Sequence, residues 1–173
     1  MQALWTDLLR NLSRPEYVHI LLNPLPVYGL AAGFLSLVVA LAARSRGAQG
    51  LALLLILLAA ASAWPVAHYG EAAYDRVYSM SDAAAQPWLN WHANLADYLL
   101  WADSIAAALA AAALAGLWKF PRLHRWALPL TAVAAVVALA FGGFLAFVGG
   151  KIRHAEFRHG PPPAWANTKA GED

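Results

Sequence analysis

The sequence has 173 residues, 61% hydrophobic and 13% charged, with a net charge of +2. Soluble domains carry about 25% charged residues, so this chain has too few to cover a water-facing surface, and the charge is too small for nucleic-acid binding. With no cysteine, disulfides, thiolate metal sites, covalently attached c-type haem and iron–sulfur clusters are excluded.

In chain order, Leu4, Trp5, Leu8, Leu9 and Leu12 recur at helical spacing, and Asp7, Arg10, Asn11 and Arg14 fill the other face. Residues 1–16 therefore predict an amphipathic helix that lies in the headgroup layer with Trp5 as its anchor. No small-residue cleavage site follows, which argues against a signal peptide. Four apolar runs come next, residues 17–43, 50–67, 98–120 and 126–148. Each supplies the roughly 20 residues that a helix needs to cross a bilayer. The short connections 44–49 and 121–125 pair consecutive helices antiparallel. The predicted fold is all-α: four transmembrane helices in an up-and-down bundle over residues 17–159. A Pro-rich tail follows from 160 to 173 and opens with Pro161-Pro162-Pro163, which reads as extended.

Arg44, Arg46, Lys119, Arg122 and Arg125 crowd the two short connections, where there is no acid. By the density of basic residues in short loops, that side is cytoplasmic. Both termini and the loop between the second and third helices are then periplasmic, in a bacterial inner membrane. Gly29-x-x-x-Gly33 and the series Gly142, Ala146 and Gly150 make stripes of small residues that let helices approach closely. Pro24, Pro26, Pro65 and Pro129 should start or bend their helices, and Gly149-Gly150 should end the last one.

On this topology His19, His68, His92 and His154 all fall at the outer edge, one per helix, and only His124 lies on the inner side. One histidine per helix at a common depth is how a bundle holds haem or a metal. The plainer reading is that helix ends collect polar aromatic residues anyway. The diagonal pairs of an up-and-down bundle are His19 with His92 and His68 with His154, and either would suit a bis-histidine haem b. Glu71 and Asp97 would then orient imidazoles. Alternatively, His68, Glu71, Asp75 and His92 would bind a copper, iron or zinc ion. If the second helix continues past Gly70, then His68, Glu71, Asp75 and Asp82 fall within an arc of about 60°, which suits a divalent cation or a proton relay. The solvated-face reading fits Asp75 and Asp82, and the functional one fits His68 with Glu71. Asp103 is the deepest acid and reads as a proton relay or counter-ion, or as one partner of an interhelical hydrogen bond, and Asn94 lies on the same helix. Lys151, Arg153, His154 and Arg158 form a basic cluster suited to anionic headgroups or haem propionates.

Val18-His19-Ile20-Leu21-Leu22-Asn23-Pro24-Leu25-Pro26, Ala63-Trp64-Pro65 running into His68-Tyr69-Gly70-Glu71, and Gly149-Gly150-Lys151-Ile152-Arg153-His154 resemble an uncharacterised bacterial family of four-helix predicted membrane proteins. The resemblance implies the four-helix fold, the histidine positions and a setting near redox and respiratory components, but no reaction. Together these readings predict a small membrane protein that holds haem b, or a copper, iron or zinc ion, near its outer face. It would serve electron transfer as a subunit of, or accessory to, a larger assembly, in a homo-oligomer or with other membrane subunits. A cofactor-free scaffold is the alternative, and a proton channel built on Asp103 is a weaker third. No nucleophile–base constellation or phosphate loop suggests an enzyme.

Overall fold

The computed structural model describes residues 1–166, and the end of the expected tail, 167–173, lies outside them. Among the described residues there are helices and no strands. Helix α1 (Gln2–Leu12) is the expected amphipathic segment. It buries none of its residues, and Leu4, Trp5, Leu9 and Leu12 are exposed.

Four segments are long and apolar enough to cross a membrane: Pro15–Ala42, Arg46–Met80, Gln86–Lys119 and Pro121–Arg153. The first comprises α2 (Pro15–Leu22) and α3 (Pro24–Ala42), divided at Asn23, where Pro24 and Pro26 withhold backbone donors. The second comprises α4 (Arg46–Ala61) and α5 (Ala63–Met80). Ser45 caps α4 by accepting from the Ala48 N–H at 3.3 Å, and Ser62 marks the break before Pro65 by bonding Ala59 O at 2.6 Å. The third and fourth are single helices, α6 (Gln86–Lys119) and α7 (Pro121–Arg153), with Pro129 inside α7.

Three of these helices are longer than their apolar runs. Polar residues in the added turns, such as Glu71, Asn90 and Lys151, weaken the hydropathy signal without breaking the helix. Gly149-Gly150 does not end α7, which continues to Arg153. Gly149 serves close approach instead, because a Cβ there would lie 3.0 Å from the His92 ring.

The chain forms two compact units. One contains Asn23–Trp64 and Leu99–Gly143. Its buried cluster is made largely of alanines (Ala52, Ala60, Ala106, Ala110, Ala113, Ala135) around Leu30, Leu37, Leu53 and Ile56. Leu35, Val39, Leu51, Leu58, Ile105 and Val133 face outward instead. In this unit α3 and α4 run antiparallel at close range, for a Cβ on Gly29 would meet Ala59 Cβ at 2.7 Å and one on Gly33 would meet Ile56 Cγ1 at 2.8 Å. Small residues inside and large aliphatics outside invert the usual burial order of a water-soluble core and suit helices packed within lipid.

The other unit contains Met1–Leu22, Pro65–Tyr98 and the described residues from Phe144 onward, and it carries His19, His68, His92 and His154. The tail is less extended than expected: a 3₁₀ turn at Ala164–Ala166 buries Ala166 and sets Trp165 edge-on against Trp91, with ring centroids 5.7 Å apart.

Candidate functional site: a pair of oriented histidines

His19 lies in α2 and His92 in α6, and both rings are half-buried. His19 Nδ1 lies 2.9 Å from the Val66 carbonyl oxygen of α5, and His92 Nδ1 lies 3.2 Å from the Leu145 carbonyl oxygen of α7. A carbonyl only accepts, so Nδ1 is the donor in each ring, and in the neutral imidazole Nε2 keeps its lone pair. One helical turn beyond each carbonyl stands a glycine that seats the ring. A Cβ on Gly70 would come within 3.0 Å of His19 Cε1, as one on Gly149 would of His92 Cε1. The arrangement is therefore made twice: a histidine, a carbonyl four residues before a glycine, and that glycine, once in α2 and α5 and once in α6 and α7. His19 lies within electrostatic reach of the His92 ring.

An imidazole that donates through Nδ1 to a backbone carbonyl is fixed in tautomer and ring plane and presents Nε2 as a ligand. The carbonyls of Val66 and Leu145 hold the positions that the sequence reading gave to the carboxylates of Glu71 and Asp97. Both acids belong to exposed residues. His124 Nδ1 makes the same bond, 2.8 Å to Ala113 O in the other unit. Carbonyl capture alone is thus also a packing device, and the pairing is what separates His19 and His92 from His124.

The other predicted residues are not drawn into this pair. His68 is exposed and meets the Tyr69 ring edge-on at 5.3 Å. His154, just past α7, is also exposed, with Nδ1 3.0 Å from Glu156 Oε1 and its ring stacked on Phe157 at 4.9 Å. Among the described residues no three His, Asp or Glu side chains gather to hold a metal ion, so the expected set His68, Glu71, Asp75 and His92 is not brought together. Asp75 is exposed on α5, and α5 stops at Met80, which leaves Asp82 off the stripe. Asn94 is half-buried on α6. Its neighbour Asn90 is buried and accepts from the Tyr74 hydroxyl at 2.5 Å. Asp103, in the alanine-rich unit, is buried with neither carboxyl oxygen hydrogen-bonded among the described residues. The expected interhelical hydrogen bond is not made.

The basic cluster after α7 is largely committed to structure. Lys151 is buried, donates to Phe157 O at 2.8 Å and sits over the rings of Trp88 and Phe147 at 4.6 and 4.7 Å. Arg158 donates to the Lys151 and Ile152 carbonyls at 2.6 and 2.8 Å, closing the end of α7, and its Nη1 reaches both Asp82 oxygens at 2.9 and 3.1 Å. Glu16 and Arg76 form a second tie between α2 and α5 at 3.0 Å.

The Arg158 hydrogen bond holds the Asp82 carboxyl below its ordinary value. A depressed acid stabilises the fold above its unfolded-state pKa, and that contribution is lost as pH falls through the folded value. The tail should therefore loosen only in the acid range. Asp82→Asn should loosen it at neutral pH, read as faster amide exchange over residues 155–166 with α3 and α4 unchanged. Equal exchange in both proteins at neutral pH would rule out the tie.

No protein-family model matches the chain, and neither curated proteins nor solved structures yield a match.

Proposed function

We propose that this chain is a multi-pass protein of the bacterial inner membrane, with four spans in an antiparallel up-and-down bundle and the histidine-bearing end on the periplasmic side. In this reading it holds haem b between His19 and His92 and serves electron transfer as a subunit of, or accessory to, a larger membrane assembly. The supporting observation is the pair itself: two neighbouring imidazoles, each with Nδ1 committed to a carbonyl and Nε2 left as a donor to iron. The donor set fits a bis-imidazole haem, which needs two neutral nitrogens and no acid. The bound group would supply one-electron chemistry. The protein's own part is to fix the two ring planes and to surround them with helices. Membrane insertion is supported by the inverted core, in which alanines are buried and leucines and valines face out.

A second reading, a cofactor-free membrane scaffold, is favoured by His124, which makes the same carbonyl bond away from the pair. Absorption spectroscopy separates the two. Protein purified from a haem-replete host should show a Soret band that is lost in His19→Ala and in His92→Ala and kept in His68→Ala, His124→Ala and His154→Ala. A colourless wild-type protein without stoichiometric metal would leave the scaffold reading.

A further inference from the structure

The alanine-rich unit carries a second concentration of charge. Arg44 and Arg46 stand at the connection between α3 and α4, and Lys119, Arg122 and Arg125 at the connection between α6 and α7. No acid occurs between Glu16 and Glu71 or between Asp103 and Glu156, and among the described residues none of these five cations forms an ion pair. A cavity of about 460 Å³ opens between the two connections, with Arg44, Arg46, Arg125 and His124 in its wall. The rest of its lining includes Leu41, Leu117 and Leu128. His124 is held in place by its bond to Ala113 O. Arg44 occupies the left-handed region at φ 52°, where glycine is the usual residue, so the backbone here would accept a smaller side chain more readily than the arginine it has.

Three exposed guanidinium groups around one cavity present their charge to an anion there, and that of Arg125 also lies over the Trp126 ring at 5.3 Å. Their planar forks match the paired oxygens of a phosphate. A free anion needs only the arginines, whereas the leucines suit a ligand whose charged head continues into hydrocarbon. Basic pockets between membrane helices on the cytoplasmic side take anionic headgroups in this way. We propose that this cavity is a binding site for the headgroup phosphate of an anionic phospholipid, with Arg44, Arg46 and Arg125 on the phosphate and Leu41, Leu117 and Leu128 along the first part of the acyl chains. The site rests on the membrane reading above and is independent of the haem.

The test uses the full chain in lipid nanodiscs and in detergent, with bound lipid counted by native mass spectrometry. Wild-type protein should prefer phosphatidylglycerol to phosphatidylcholine at least tenfold. Arg46→Gln combined with Arg125→Gln should remove that preference. Arg44→Gly should weaken it without lowering the Tm, which separates loss of the site from loss of the fold. Arg10→Gln with Arg14→Gln, on α1 and the turn after it, should leave the preference intact. Equal selectivity in wild type and in the double Arg46/Arg125 variant overturns the site. So does competition by millimolar inorganic phosphate, which would make it a free-anion site. Release of the chain from native membranes by alkaline carbonate would overturn the membrane reading and the lipid site together, whereas a missing Soret band would touch only the haem.

Discussion

If His19 and His92 hold haem as proposed, replacing Gly149 with valine should abolish its binding as completely as replacing His92 itself. A Cβ at this position would stand 3.0 Å from His92 Cε1 and 3.2 Å from Nδ1, closer than unstrained atoms pack. The ring cannot simply slide aside, because its Nδ1–H is committed to Leu145 O one turn earlier on the same helix. Moving the ring breaks that bond, at about 0.5–1.5 kcal/mol, and frees the tautomer that leaves Nε2 available as a ligand. Valine adds two methyls beyond the Cβ, and overpacking of this kind costs about 1–3 kcal/mol. Gly70→Val should do the same to His19, whose Cε1 and Nδ1 both lie 3.0 Å from the Cβ position.

The alanine substitutions are the sharper comparison. Away from any contact, alanine in place of a helical glycine stabilises by about 0.5–1 kcal/mol. At Gly149 and Gly70 the close histidine ring offsets that gain, so Gly149→Ala and Gly70→Ala should leave the melting temperature nearly unchanged. Under the haem reading they should still lower its affinity about 10–100-fold, the range for groups that orient a ligand from behind. Gly143→Ala is the control, since nothing lies within 4 Å of a Cβ there. Retention of a wild-type Soret band and reduction potential in both alanine variants would show that the glycines are helix-packing residues and do not seat the imidazoles.

The candidate spans and the set of histidines to choose from were legible in the sequence for different reasons. Long apolar runs survive any helix rotation, so residues 17–43 and 126–148 declare themselves by composition alone. Chain order in an up-and-down bundle offers two diagonal pairs, His19 with His92 and His68 with His154. Which of four histidines turn inward does not follow from it, because a rotation of one residue, about 100°, moves a side chain from the interior to the surface. His68 and His154 fall on the outer side of that line. The orienting role of Val66 and Leu145 is invisible in sequence because a carbonyl belongs to every residue. One trace does exist: Ala67-x-x-Gly70 and Ala146-x-x-Gly149 repeat the same step in the second helix of each pair. Gly149 was readable as a helix end, and only the closeness of the His92 ring shows it as a seat. The arginine-lined cavity was half legible, as a loop charge without acids, while its leucine wall depends on how the helix ends come together.

Replacing Asp103 with leucine should raise the melting temperature. The side chain is 1% exposed, and neither oxygen has a hydrogen-bond partner among the described residues. An orphaned buried polar group costs about 1–3 kcal/mol, and exchanging it for an apolar side chain of similar volume removes that cost. In a protein of this length the gain amounts to several degrees, at about 2–4 °C per kcal/mol. Asp103→Asn should bring no comparable gain, because the amide adds donors that also need partners. A lower melting temperature in both variants would mean that the carboxyl is bonded in the folded protein, by water or an ion. A gain with leucine carries a further consequence, for an acid that weakens the fold and yet stays in its apolar core is held there by something other than stability. The proton-relay and counter-ion roles then become the ones to measure. If the chain holds haem as proposed, its reduction potential should depend on pH less steeply in Asp103→Leu than in wild type, and identical slopes would rule out a relay role for Asp103.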